Sequence, residues 1–323
     1  MKALVNTAPG KLEWKDWPKP EPGPGQVRIR VAACGICGTD LLMIAGWRRT
    51  GFPAIPGHEW SGVVDAVGPG VDKALAGRPC VAENVWADGG EVGFEHPGGY
   101  GEYLVTEARN VHVLPADFPL AAAALIEPLA VSVRALRRLR LDRRESALIW
   151  GDGPIGLLML VLLKAENVAT VSLVGGREAR LDLARQFGAA ATLNYHGVTD
   201  WATAVAALPG ARFPNIIEAS GSSLAMQTSI DVAPIEGKIL VIGDYGEARA
   251  DFPWNTPMHH ELEVIGSNAS AGGWNRAVEL AVAGNVPLER LISRRLPLAA
   301  GVEGVELVRR SRDLVKVVME GAL

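Results

Sequence analysis

Cysteine is scarce in this chain: Cys34, Cys37 and Cys80 are the only three in 323 residues. An odd, small number does not build a disulfide scaffold, so each is a buried thiol or a metal ligand. Long basic runs are absent and the formal net charge is −4, which excludes nucleic acid and anionic membranes as expected partners. Long apolar runs are absent too. The longest, Pro154 to Leu163, falls well short of the ~20 residues that span a bilayer. Met1 to Gly10 carries one Lys and no apolar stretch of signal-peptide length. A soluble, cytoplasmic protein is expected. No internal repeat or low-complexity tract is visible.

What is present is ample core material. The chain is 48% hydrophobic and 21% charged, with 37 Gly and 21 Pro to serve many tight turns. The first ~120 residues read as short strands between Gly/Pro turns. Lys2–Asn6, Val27–Ala33, Gly62–Val67 and Val111–Leu114 are the clearest, and Leu120–Leu139 then reads as one long helix. Beyond it strand and helix alternate. Ala147–Trp150, Thr170–Val174, Asn215–Ala219 and Lys238–Ile242 are strands. Pro154–Ala165, Arg177–Phe187 and Ser222–Val232 are helices. This βαβ spacing means a parallel sheet covered on both faces, an α/β class. After Gly266 the alternation weakens. Two domains are expected, the second inserted late in the chain.

Ala147–Gly156 reads ALIWGDGPIG. Gly151, Gly153 and Gly156 stand at G-x-G-x-x-G spacing, after a strand and at the start of a helix that Pro154 and Ile155 open. The first glycine permits the turn, the second admits a pyrophosphate, and the third lets helix and strand pack. The helix N-terminus offers unpaired N–H groups to phosphate. An NAD site wants an acid at the end of the second strand, about 20 residues on. Here that strand runs into Gly175, Gly176 and Arg177, with no carboxylate. The glycines leave room for an adenosine 2′-phosphate, and Arg177 has the donors to pair with it, assisted by Arg180. The expectation is NADP over NAD; the bland alternative is a solvated arginine opening a helix.

Two motifs in the first part carry metal chemistry, Cys34-Gly35-Ile36-Cys37-Gly38-Thr39-Asp40 and Gly57-His58-Glu59. Zinc takes thiolate, imidazole and carboxylate ligands in a tetrahedron, and a catalytic site leaves one position open. Cys37, His58 and one carboxylate make such a set. A redox Cys-x-x-Cys pair is the alternative, but the βαβ context of a thioredoxin-like motif is missing.

The stretches VAACGICGTD, PGHEWSGVV, GGYGEYLV, IEPLAV, WGDGPIGLL and IEASG occur in the order found in the medium-chain dehydrogenase/reductase superfamily. The chain resembles its zinc-containing alcohol dehydrogenase branch, nearest to sorbitol, threonine and glucose dehydrogenases. The resemblance implies a β-rich GroES-like catalytic domain over residues 1–123 and 268–323, and a Rossmann domain over 124–267. It implies zinc on Cys37 and His58. Glu59 is then a ligand or an adjacent carboxylate exchanging with water, and Glu127 a further ligand or near-ligand. Asp40 matches a carboxylate that orients the histidine ligand, and Thr39 a hydroxyl that starts the proton relay. Ile242, Gly243, Ser267 and Asn268 match strand ends lining the nicotinamide. The resemblance further implies hydride transfer between an alcohol, polyol or sugar and a nicotinamide cofactor, in a homodimer or homotetramer.

Three departures stand out. The four cysteines of a structural zinc lobe are missing between Val81 and Gly99, so one catalytic zinc per chain is expected. Leu42 occupies the place of a relay histidine, so the proton is expected to leave through Thr39, the cofactor ribose and water. The ribose-binding acid is missing. Trp47, Asn84, Trp86, Phe94, His96 and Asn268 are candidate pocket residues, and His96 a competing metal ligand. Rival functions are a zinc-free enone or quinone reductase and a non-catalytic NADPH-binding protein; the Cys37, His58 and Glu59 set argues against both.

Overall fold

The computed structural model describes residues 1–141, 144–210 and 212–322. Met1–Pro128 with Trp274–Leu323 forms one compact unit, and Leu129–Gly273 a second. In the first unit the chain runs through β1 (Lys2–Ala8), β2 (Lys11–Asp16), β3 (Gln26–Gly35), α1 (Gly38–Ala45), β4 (Glu59–Val67), β5 (Pro79–Ala82), β6 (Tyr103–Glu107), β7 (Val111–Val113) and α2 (Leu120–Ala123) to α3 (Ile126–Leu139). The second unit holds β8 (Ser146–Trp150), α4 (Pro154–Ala165), β9 (Thr170–Gly175), α5 (Glu178–Gln186), β10 (Ala191–Asn194), α6 (Trp201–Ala206), β11 (Asn215–Glu218), α7 (Ser223–Val232), β12 (Lys238–Val241) and β13 (Glu263–Gly266). The chain returns to the first unit with β14 (Ile292–Pro297) and β15 (Lys316–Glu320).

The first unit is built on a mostly antiparallel sheet in the order β14-β15-β3-β4-β5-β7, with β6 also on β3, and a β1–β2 hairpin. β3 shows why. Val27, Ile29 and Val31 are buried while Arg28 and Arg30 between them are only partly covered, the alternation of a strand with one dry face. From Ala32 to Gly35 every residue is buried, because β4 and β15 flank the strand there. Leu4, Ile29, Trp60, Tyr100, Leu104 and Met319 belong to the core beneath. The weakening alternation after Gly266 thus resolves into β14 and β15, which complete this sheet.

The second unit is a parallel sheet in the order β10-β9-β8-β11-β12-β13. β8 is buried at every position, as a central strand covered on both faces must be. Strand order reverses between β8 and β11. That is a topological switch point, where doubly wound sheets bind ligands outside the carboxyl ends of their strands.

The helix expected over Leu120–Leu139 is two helices. Pro128 lies in the first turn of α3, and a continuous helix would drive its ring into the carbonyl of Ala124. The chain therefore breaks and restarts with proline where a missing N–H costs nothing. Strands β2, β5, β6, β10 and β13 carry weak local signals, and partners decide them.

Gly156 has no room for a side chain, since a Cβ there would collide with the carbonyl of Gly151. We expect Gly156→Ala to destabilise the protein by about 1–3 kcal/mol through forced separation of α4 and β8. Urea unfolding reads this, and an unchanged midpoint would contradict the close packing described.

Candidate active site

Cys37 occupies the N-cap position of α1, with extended backbone at φ −101° and ψ 156°. Asp40, three residues on, closes the turn: its Oδ2 accepts the Cys37 N–H at 2.8 Å. The Cys37 sulfur lies 3.7 Å from the Thr39 hydroxyl. The Cys-Gly-Thr-Asp sequence is thus a capping turn that presents a thiol and a hydroxyl side by side.

His58 and Glu59 enter from the start of β4. Gly57 before them has φ +99°, and a Cβ there would strike the Tyr100 ring and come within 2.9 Å of Cys34 Sγ. Asp40 joins the two segments. It is fully buried, accepts a hydrogen bond from Tyr100 Oη at 3.1 Å, and places Oδ1 3.2 Å from His58 Nδ1. That last contact is at ion-pair distance but poorly aligned for a hydrogen bond. Burial alone would push the imidazole's pKa down; the Asp40 carboxylate outweighs it and holds the ring well above its ordinary value. Asn84 fastens the ligand strand, donating to the His58 carbonyl at 2.8 Å and accepting from Trp60 Nε1 at 2.9 Å.

Glu59 is buried against Lys316 at the head of β15, Oε1 to Nζ 2.7 Å, and the ammonium also donates to the Ile36 carbonyl at 3.3 Å. Burial would push the Lys316 ammonium's pKa down, and the Glu59 carboxylate holds it above the ordinary lysine value. The other oxygen, Glu59 Oε2, is buried without a hydrogen-bond partner. Cys37, His58 and Glu59 each bring one ligand atom to within 4.8 Å of the others. Thiol, imidazole and carboxylate at this spacing fit zinc, and the Glu59 carboxylate, with one oxygen unpartnered, has acceptor capacity left for a cation.

Glu127, in the first turn of α3, is buried but stands outside that 4.8 Å set. Burial pushes its carboxyl up to about 7, with His58 pulling it down and Glu59 pushing it further up. Phe94 packs on the His58 ring at 5.1 Å between centroids and edge-on to Trp47 at 6.4 Å. Arg49 lies over Phe94 at 4.3 Å and pairs with Glu91 and Glu95, holding together the segment that carries no cysteines. His96 instead stacks on Trp86 at 3.8 Å and pairs with Asp88, apart from the ligand set. Leu42 is about half exposed on α1, and the three cysteines are free thiols.

In the second unit, Gly151 has φ +114° and would meet Ala219 at 2.9 Å if it carried a Cβ, whereas Gly153 faces open space. Close packing and open approach are what a pyrophosphate turn needs. Pro154 and Ile155 open α4 behind it. Ile242 and Gly243 follow β12, both N–H groups donating to the Glu218 carbonyl at 2.9 Å. Ser267 and Asn268 follow β13, with Ser267 Oγ buried and unpartnered. All these residues lie at the carboxyl ends of parallel strands.

Asp152 packs against the strand-end glycine: a Cβ on Gly175 would come within 2.6 Å of the Asp152 side chain. Gly176 is likewise covered by the Tyr195 ring. The glycine fingerprint treats the position of Asp152 as free, so no sequence pattern marks it. No local signal marks Lys316, which meets Glu59 across 257 residues.

A metal-ligand set on a β-rich unit, in one chain with a doubly wound unit bearing a dinucleotide turn, defines a nicotinamide-dependent oxidoreductase. Residues 23–116 match the alcohol dehydrogenase GroES-like domain, and residues 154–283 the zinc-binding dehydrogenase family. The 2-dehydro-3-deoxy-L-galactonate 5-dehydrogenase of Pseudoalteromonas atlantica is 31% identical over 304 residues, covering 86% of each chain. The crystal structure of galactitol-1-phosphate dehydrogenase from Escherichia coli superposes with a TM-score of 0.87 at 27% identity, over 99% of this chain and 100% of that one. A structure described as a zinc-binding dehydrogenase from Sinorhizobium meliloti bound to NADP gives 0.91 at 25% identity, over 99% and 98%. The chain belongs to the zinc-type medium-chain dehydrogenase/reductase family. It is a zinc-dependent dehydrogenase that acts on CH–OH groups of small alcohol-type substrates with a nicotinamide cofactor.

The Glu59–Lys316 pair yields a stability prediction. Lys316→Met leaves a buried carboxylate without its cation and is expected to cost about 3 kcal/mol or more. Adding Glu59→Gln should recover part of that loss. Urea unfolding of metal-free protein tests both, and independent, additive effects would refute the pairing.

Proposed function

We propose that this protein is a polyol or sugar dehydrogenase that oxidises a secondary or primary alcohol and uses NADP in preference to NAD. The observation that carries the reading is the Cys37, His58 and Glu59 set, with Glu59 Oε2 buried and unpartnered. A zinc ion held there supplies Lewis-acid polarisation of the substrate oxygen, and the nicotinamide supplies the hydride acceptor.

The protein's own residues do the rest. Cys37 and His58 would hold the ion, with Glu59, tied to Lys316 through Oε1, as a third ligand or an adjacent carboxylate. Glu127 is the further ligand or near-ligand, buried in the first turn of α3. Asp40 orients both the His58 ring and the Cys37 turn. Thr39, beside the Cys37 sulfur, accepts the proton of the substrate hydroxyl, which leaves by way of the cofactor ribose and water, since Leu42 offers no imidazole. Phe94 and Trp47 form an apolar wall beside His58 that suits the carbon face of a polyol. Relatives named for galactitol phosphate and a deoxy-sugar acid support a polyhydroxylated substrate.

Gly151, Gly153, Pro154, Ile155 and Gly156 take the pyrophosphate, and Ile242, Gly243, Ser267 and Asn268 the nicotinamide end. Arg177, with Arg180 one turn on, reads the 2′-phosphate, so NADP is preferred. One zinc per chain follows from the absence of cysteines between Val81 and Gly99. The assembly is a homodimer or homotetramer, and free thiols suit a cytoplasmic setting. Among the described residues no helix is long and apolar enough to cross a membrane.

Cys37→Ala is expected to lose both zinc, read by plasma mass spectrometry, and turnover on a polyol and sugar panel. A zinc-free variant with full activity would end this reading. Arg177→Ala should raise the KM for NADP about tenfold or more and leave that for NAD unchanged. Equal effects on both cofactors would show that Arg177 does not read the phosphate.

A further inference from the structure

Phe94 lies where the segment without cysteines meets the ligand cluster. Its ring packs on His58 at 5.1 Å and edge-on to Trp47 at 6.4 Å. The backbones are as close, since a Cβ on the neighbouring Gly93 would come within 2.8 Å of the His58 nitrogen. Glu91 to His96 is a tight turn: the Phe94 and His96 N–H groups both donate to the Glu91 carbonyl, at 3.1 and 3.0 Å. Arg49 grips this turn from the segment that follows α1. Its Nε donates to Glu95 Oε1 at 2.8 Å, and its Nη2 donates to Glu91 Oε1 at 2.8 Å and Glu95 Oε2 at 3.1 Å. Its guanidinium carbon lies 4.3 Å from the centre of the Phe94 ring. Arg49 therefore holds both ends of the turn and covers the ring between them. The three charged side chains are 32%, 23% and 37% exposed, so water and salt reach them.

We propose that Arg49 is a positioning residue for the substrate: by gripping Glu91 and Glu95 it sets Phe94 against His58, and the wall so fixed determines the affinity for an uncharged polyol. The inference rests on the polyol reading of that wall. Cys37 and His58 are held by Asp40 and Asn84, which lie outside the Arg49 trio, so loosening the grip leaves the metal cluster in place. What changes is the wall. An aromatic face contributes to binding only while its ring is held at contact distance. A ring free to turn must be ordered afresh each time a polyol binds. Such a loss falls on ground state and transition state alike, and therefore shows in KM rather than kcat. It also makes the affinity for a neutral substrate depend on salt, because part-exposed ion pairs are screened. The two-pronged bonding to Glu95 and the covered ring set this trio apart from an ordinary surface pair.

The test measures kcat and KM for sorbitol, arabitol and galactitol, with galactitol 1-phosphate beside them, on the zinc-loaded enzyme at saturating cofactor. Arg49→Met keeps an apolar chain beside the ring but removes the ion pairs. It is expected to raise KM for the uncharged polyols about tenfold, the upper scale of one aromatic contact, with kcat and zinc content kept within about twofold. Arg49→Lys keeps the charge without the planar fork and should lie between. Bringing the parent enzyme to about 1 M salt, where the screening length is about 3 Å, should move its KM toward that of Arg49→Met and leave the variant's unchanged. Adding Glu95→Gln to Arg49→Met should change little further, and Glu95→Gln alone serves if the methionine variant fails to fold. Equal KM in parent and variants, or a loss of kcat and zinc in step with the rise in KM, would make Arg49 a structural residue only and overturn the proposal. A loss confined to galactitol 1-phosphate would also overturn it, by showing that Arg49 meets an anionic substrate directly. Failure of the parent to oxidise any of the four would instead overturn the polyol reading itself.

Discussion

The contact on which the catalytic unit depends is the buried ion pair between Glu59 and Lys316. Two charges removed from water are tolerable only together and with their remaining valences met. Lys316 meets that condition through Glu59 and the Ile36 carbonyl. Glu59 meets it only halfway. Its first oxygen is fixed by the ammonium, and its second is buried with no hydrogen-bond partner. The pair thereby joins β15 to β4, beside the Cys37, His58 and Glu59 cluster, and leaves one carboxylate oxygen without a partner.

Around that pair, each candidate ligand is held by a residue outside the Cys37, His58 and Glu59 cluster. Asp40 fastens the Cys37 turn through a backbone hydrogen bond and faces His58 with its other oxygen, while Tyr100 steadies it. Asn84 holds the backbone of His58 and the indole of Trp60. Such supporting shells fix ring orientation and ligand basicity, and metal affinity depends on them. The segment between Val81 and Gly99, which has no cysteines to fasten it, is held by Arg49 with Glu91 and Glu95, and its Phe94 lies on His58. Ion pairs and stacking thus hold a loop that metal ligands could otherwise organise.

Much of this was legible beforehand, because it is local. The glycine turn, the Cys-Gly-Thr-Asp cap and the buried runs of β3 and β8 are written in consecutive residues, where φ preferences, helix capping and side-chain period act directly. The parallel class of the second sheet followed from its alternation, and the candidate ligand set from two motifs of metal-binding residue types and the family resemblance they carry. Less legible were strands with weak patterns, such as β6, β10 and β13, which exist because a partner strand supplies their hydrogen bonds. The long helix expected over Leu120–Leu139 failed for a local reason that was available in Pro128.

What the sequence by itself determined is the set of chemical groups and the two local frames that present them: a thiol and hydroxyl on a capping turn, an imidazole and carboxylate at a strand start, and a glycine turn at a helix start. What only the tertiary structure decided is how the charges in those frames are shared. Lys316 reached Glu59 from the far end of the chain, and Asp152 reached the arginines by crossing from one strand end to the next. Neither pairing has a sequence signature, because Coulomb energy depends on separation in space and on burial, and both are fixed only when the sheets close.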